Sequence, residues 1–350
     1  MLKTTTIGSY PKPEYLILPD WFKSEKGTDA EYPTSGWLEA VNSMGESYEK
    51  IILRATEDII TDQIQCGIDI VTDGEVRREN YIHYHCRFLK GIDFNNLTKK
   101  TARTGNYDCY LPTIINKIEF DKPFLSREYQ ISQNLSSKPI KITIPGPLTI
   151  ADTISDNFYQ DQKKMGVDLS EAINKEIKLL VESGCKHIQI DEPLFARKSD
   201  DAINFGIDNL ERCFHKVPKN VDKIVHICCG YPDKIDAINY PKAPLNSYFE
   251  IASSIEDSKI DTISIEDAHR FNDLKLLEVF KSKNVIFGLI KIASSELEDE
   301  EEVRERIKEC LFHIDKQRLV AAPDCGLGYL SRELALSKLK ILSKAAKSIS

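Results

Sequence analysis

The sequence predicts an α/β fold of the (β/α)8 barrel class. Eight short apolar segments of strand character alternate with amphipathic helical stretches from end to end of the 350-residue chain. Such barrels take about 250 residues, which leaves roughly 100 for insertions.

The strand segments are TTTIGSY at 4–10, IDIVTDG at 68–74, KITIPGP at 141–147, HIQIDEP at 187–193, KIVHICCG at 223–230, DTISIED at 261–267, NVIFGLI at 284–290 and RLVAAPDCG at 318–326. Between them, helical patterns run through SYEKIILRATEDIITDQIQCG from Ser47, SEAINKEIKLLVESGC from Ser170 and DEEEVRERIKECLFHI from Asp299. Each ends near a glycine or a strand start. The acidic run at the start of the last suits the positive end of a helix dipole. The surplus residues fall in two insertions. One follows the first strand, in the Pro- and Trp-containing stretch from Lys12 to Trp37. The other follows the second, from Tyr81 to about Lys138, where LKGIDF and PTIINKIEF suit a hairpin. The expected organisation is one barrel domain over residues 1–350. The rival architecture, a doubly wound sheet, is disfavoured by the strand count. IGSYP and DGEVR lack the glycine spacing of a dinucleotide site, so no nucleotide cofactor is expected.

Composition narrows the function. With 47 Lys and Arg against 55 Asp and Glu, the net charge of −8 argues against a nucleic-acid partner. No run approaches the roughly 20 apolar residues of a membrane span, so no membrane partner is expected. The opening MLKTTTIGSYPKP lacks the apolar core of a signal peptide, so a cytoplasmic location is expected. The nine cysteines are scattered rather than framework-spaced and read as reduced thiols.

In a barrel, chemistry sits where strands end. Here those ends carry Ile7 and Ser9, Asp73 and Glu75, Asp191 and Glu192, His226 and Cys228, Glu266 and Asp267, and Asp324 and Cys325. His226 and Cys228 are two residues apart on one strand, so both point to the same face and can grip one metal ion. Glu266 and Cys325, at the same height on other strands, complete a nitrogen, sulfur and oxygen set that suits zinc. Taken alone, an H-x-C pattern equally describes a small core cysteine beside a backbone-bonded histidine. Glu75, Asp191 and Glu192 also have two readings. Two carboxylates near one site can hold an ammonium group, whereas a strand-end acid can cap the next helix or pair with Arg77, Arg78 or Arg197.

Taken in order, TTTIGSYP, DGEVRREN, IPGPLTI, IQIDEP, HICCG, ISIED and PDCG resemble the cobalamin-independent methionine synthases, specifically their C-terminal catalytic barrel, over essentially the whole chain. The resemblance is to the short, single-barrel branch. It implies zinc held by His226, Cys228, Glu266 and Cys325, with Glu266 the ligand that substrate displaces. It also implies a homocysteine pocket in which Ile7 and Ser9 hold the carboxylate while Glu75 and Asp191 receive the amino group. The implied reaction transfers a methyl group to the homocysteine thiol, activated as thiolate on zinc, giving methionine.

The chain departs from the long family members at two places. Thr153 follows GPLTI where they carry a tryptophan facing the folate, and Ala293 stands where they carry a proton-passing histidine. The methyl donor is therefore left as a folate or a corrinoid protein. The catalytic proton source is unassigned, with Lys291, His269, His83 and His85 as candidates. YIHYHCRF at 81–88 reads either as part of a donor-facing rim or as a half-buried alternating strand. Two rival functions stay open. One is an alkyltransferase or lyase acting on another small thiol such as coenzyme M, and the other is a non-catalytic barrel subunit with structural zinc.

Overall fold

The structure is a computed structural model that describes residues 1–349 apart from 25, 27, 28, 103–106, 238, 239 and 241. Eight parallel strands form its centre: β1 (Lys3–Thr4), β2 (Val71–Thr72), β5 (Ile140–Pro145), β7 (His187–Asp191), β8 (Asp222–Ile227), β9 (Thr262–Ile265), β10 (Asn284–Ile290) and β11 (Leu319–Pro323). They hydrogen-bond in the order β1-β11-β10-β9-β8-β7-β5-β2, and a parallel bridge between Thr5 and Ile70 joins the two ends. The ring is the (β/α)8 barrel that the segment count predicts.

The strands read as near-continuous apolar runs because both of their faces are covered. Ile142, Ile144, Ile188, Ile190, Val225, Ile227, Ile263, Ile265, Val285 and Phe287 belong to the large core shared with the helices. The alternate positions point inward. Ile7, Ile224, Ile286 and Ala322 form a separate small apolar cluster there. Other inward positions are polar. Gln189 donates to the Ile7 carbonyl at 3.0 Å, and His226 Nδ1 meets Ser264 Oγ at 2.9 Å. The barrel is thus greased by few apolar side chains and leaves its upper interior to groups that bind.

Both insertions sit where the sequence places them. The second contains a long antiparallel hairpin, β3 (Leu89–Ala102) with β4 (Tyr107–Phe120), and the short β6 (Ser155–Asp156) pairs beside it. In the first, Asp20 caps a turn of 3₁₀ helix at Trp21–Lys23, and the Trp21 N–H donates to the Glu79 carbonyl at 3.0 Å. That bond ties the segment to the loop after β2. Residues 81–88 correct the strand alternative: Tyr81–Cys86 is a helix, capped by the Asn80 side chain, which accepts from the Ile82 and His83 N–H groups. Among the described residues, no helix is long and apolar enough to cross a membrane.

Candidate metal centre and ligand cavity

At the C-terminal ends of the barrel strands, His226, Cys228 and Cys325 offer ligand atoms that all lie within 4.8 Å of one another. His226 is the penultimate residue of β8 and Cys228 lies just past its end, while Cys325 lies just past β11. The imidazole is oriented by its far nitrogen: Nδ1 meets Ser264 Oγ, and Nε2 lies 3.2 Å from Cys325 Sγ. A second-layer hydroxyl of this kind fixes the tautomer that presents Nε2. Cys325 and His226 beside it draw the Cys228 thiol well below its ordinary value, against the opposing effect of burial. Two soft sulfurs and one imidazole are a donor set for zinc.

Glu266, the fourth expected ligand, stands outside this group. Its buried Oε1 has no hydrogen-bond partner and faces the Lys242 ammonium at 3.5 Å. Tyr248 couples it to the cluster, since the Tyr248 hydroxyl donates to the Ile227 carbonyl at 2.7 Å and accepts from the Glu266 N–H at 3.1 Å. The ends of β8 and β9 are thereby held together.

The cluster opens into a cavity of about 430 Å³ that is also lined by Ile7, Ser9, Glu75 and Asp191. All four expected pocket residues therefore share one space with the sulfurs. Glu75 Oε1 accepts from Thr143 Oγ1 at 2.7 Å and from Arg78 Nη1 at 3.2 Å, while its Oε2 is unengaged among the described residues. Asp191 Oδ1 accepts from Gln189 Nε2 at 2.7 Å, and its Oδ2 is likewise unengaged. Burial lifts the Asp191 carboxyl to about 7, against the opposing pull of His226. Burial also raises Glu75, with Arg78 opposing. The Ser9 hydroxyl has no partner among the described residues, and it packs so closely on Gly326 that a Cβ there would lie 2.1 Å from Oγ. The glycine of PDCG is what admits Ser9 to the site.

The three strand-end acids thus part company. Glu75 pairs with Arg78 and still presents an oxygen. Asp191 has no ion pair among the described residues. Glu192 is a cap: its carboxylate accepts from the Leu148 and Thr149 N–H groups and from Thr149 Oγ1, at 2.9, 3.0 and 2.7 Å. This stitches β7 to the start of the helix Pro147–Thr153. A Cβ on Gly146 would lie 2.1 Å from the Glu192 carboxyl carbon. Gly146→Ala is therefore expected to dislodge the cap and cost about 2–4 kcal/mol by overpacking and lost buried hydrogen bonds, measured by urea unfolding.

Of the histidine candidates for proton transfer, His83 and His269 are engaged by the backbone, while His85 is buried with its Nδ1 on the Tyr81 carbonyl at 2.8 Å and its Nε2 unpartnered. His83 lines the cavity, but its Nε2 meets the Thr153 carbonyl at 3.0 Å and Asn80 Nδ2 lies 3.1 Å from its Nδ1. His269 Nε2 accepts from the Ile292 and Ala293 N–H groups at 3.0 and 3.4 Å. His85 turns into the core against Phe124, with ring centroids 5.2 Å apart. Lys291 is exposed.

Sequence reasoning missed the supporting layer: Gln189, Ser264 and Thr143, and the aromatic side chains of Trp21, Phe22 and Tyr231, which line the cavity with Tyr81 of the segment it offered as a rim. Part of it was legible. Gln189 and Ser264 stand two residues before Asp191 and Glu266, which puts them on the same face of the same strand.

An eight-stranded parallel barrel with an imidazole and two thiols converging at its mouth, beside an acid-lined cavity, defines a barrel protein with a candidate metal-dependent active site. The chain belongs to the cobalamin-independent synthase family, whose catalytic-domain model matches residues 2–348. It is 30% identical to a methionine synthase of Saccharolobus solfataricus over 99% of this chain and 94% of that one. To one of Pyrococcus furiosus it is 27% identical, covering 100% and 93%. Among solved structures it resembles a B12-independent methionine synthase from Shewanella sp. W3-18-1 in complex with selenomethionine, with TM-score 0.86 and 29% identity over 99% of this chain and 97% of that one. The family resemblance read from the motifs is thereby borne out.

Proposed function

We propose that the protein is a zinc-dependent methyltransferase that methylates the thiol of homocysteine to give methionine. The observation that carries this reading is the shared cavity: a His–Cys–Cys cluster and two carboxylates with free oxygens line the same space. The names of the relatives, and the selenomethionine in the Shewanella structure, support an amino-acid ligand with sulfur or selenium in its chain.

In this reading His226, Cys228 and Cys325 hold zinc, and Glu266 is the fourth ligand. Its buried Oε1 makes no hydrogen bond and has only the Lys242 ammonium at 3.5 Å, so a metal cation here would add the close contact that a buried carboxylate oxygen lacks. Bound zinc supplies a Lewis acid that releases the substrate thiol's proton near neutral pH, where a free thiol of pKa about 8.5 is mostly protonated. The chain's own groups do the rest. Ser264 and Tyr248 keep the ligand strands in register. Glu75 and Asp191 take the ammonium, and Ile7 and Ser9 take the carboxylate, so the thiol end lies toward the sulfurs. An amino acid of this size fills only part of the cavity. The remainder, lined by Trp21, Phe22, Thr153 and Arg197, admits the methyl-bearing end of a donor, either a methylated folate or the corrinoid presented by a carrier protein.

Zinc-edge X-ray absorption with and without homocysteine tests the reading. Two sulfurs near ~2.3 Å are expected for the protein alone, rising to three with substrate. An unchanged count would overturn homocysteine as the metal-bound thiol and leave either a different thiol or a closed, structural site.

A further inference from the structure

Tyr81 is a polar residue lining the cavity that has no part in the homocysteine clamp or the metal cluster. It opens the helix Tyr81–Cys86, where the Asn80 cap fixes its backbone. Its ring rests against Trp21 with centroids 5.6 Å apart. The side chain lines the same cavity as Glu75, Asp191, Cys228 and Cys325. Among the described residues its hydroxyl has no hydrogen-bond partner. This is unlike two nearby tyrosine hydroxyls: Tyr231 donates to the Gly326 carbonyl at 2.7 Å, and Tyr248 to that of Ile227. Burial, with the nearby charges of Asp191, Cys228, Cys325 and Glu75, pushes the phenol well above its ordinary value. Tyr81 therefore stays a neutral hydroxyl, whose oxygen accepts while its proton is free to donate.

The clamp is short of one acceptor. A primary ammonium carries three N–H donors. Glu75 and Asp191 each have one carboxylate oxygen committed to the protein and one unengaged, and because the N–H groups of one nitrogen diverge too widely to share an oxygen, the two unengaged oxygens take two of them. A third N–H left without a partner in a closed cavity costs affinity. The Tyr81 oxygen is a further free acceptor lining the same cavity.

We propose that Tyr81 is a specificity-determining residue that completes the ammonium site, accepting the third N–H of an α-amino thiol. The proposal rests on the homocysteine reading. It makes the site selective for thiols that carry a primary amine, and it requires Tyr81 to act on binding rather than on the sulfur chemistry.

The test is calorimetric titration of zinc-loaded protein with L-homocysteine and with 4-mercaptobutyrate, which is the same chain without the amino group. Wild-type protein is expected to bind homocysteine the more tightly. Tyr81→Phe keeps the ring against Trp21 and removes only the hydroxyl. It is expected to weaken homocysteine by about tenfold or more, the worth of one hydrogen bond to a charged group, and to leave 4-mercaptobutyrate within about twofold. A wild-type preference that survives unchanged in Tyr81→Phe would overturn the proposal. So would equal weakening of both thiols, which would place Tyr81 on the sulfur or in the packing. If wild-type protein shows no preference for homocysteine, the parent reading fails and the proposal with it. That outcome is separable, because it is read before any substitution is made.

Discussion

Replacing Cys325 with serine is expected to abolish methyl transfer and lower zinc affinity by at least about 100-fold while leaving the barrel folded. Losing an outer-layer partner of a metal typically costs 10–100-fold in affinity, and losing a thiolate ligand should cost no less. The fold should tolerate the change. Cys325 is half-buried in a loop past β11, and the barrel's strands and helices carry a large apolar core that it only borders. Metal content by elemental analysis and circular dichroism of the variant check both parts. If the variant loses its helical and strand signal along with the metal, the cluster holds the fold together and the catalytic assignment fails.

The second large effect is expected at Asp191. Asp191→Asn keeps the shape, and its amide oxygen can still accept from Gln189, so stability should stay close to that of the parent. What disappears is a negative charge facing the substrate ammonium. A hydrogen bond to a charged group is worth about 1.5–3 kcal/mol, or roughly 10–100-fold in affinity for homocysteine. Simple alkyl thiols, which carry no ammonium, should be affected little. Competition binding of the two classes measures the difference, and equal losses would remove Asp191 from the clamp. Asp191 is the more decisive of the two acids to test, because Glu75 already has Arg78 as an ion partner whereas Asp191 has none among the described residues.

The barrel was legible because its strands are buried on both sides and so appear as uninterrupted apolar segments closed by turn residues. The cluster was legible for a related reason. A polar residue at the end of such a segment is out of place in a core, and the i, i+2 spacing of His226 and Cys228 puts both on one face. At residues 81–88 the strand alternative misled, because aromatic and basic residues alternate there with the period of a strand, whereas Tyr81, Ile82 and His83 do line the cavity. The helix they form has six residues, too few to show a helical period. Its signal was the preceding Asn80, a strong helix cap.

The division between the acids could not be read from the chain alone. Asp191 and Glu192 are adjacent, yet one lines the cavity and the other caps a helix whose N–H groups lie more than forty positions away in sequence. Successive strand residues point to opposite faces, and what waits on each face is set by the neighbouring strand. Glu266 shows the same dependence: Lys242, from the loop after β8, faces its carboxylate.

By itself, then, the sequence determined the barrel, its strand order of polar ends and the residue types able to hold a metal and an amino acid. Those follow from local period and composition. Tertiary structure alone decided which of these groups share one cavity, which carboxylate oxygens are left unengaged, and that Tyr81 and Trp21 stand beside them. Hydrogen bonds between distant segments consume some polar atoms and spare others, and only the spared ones can bind.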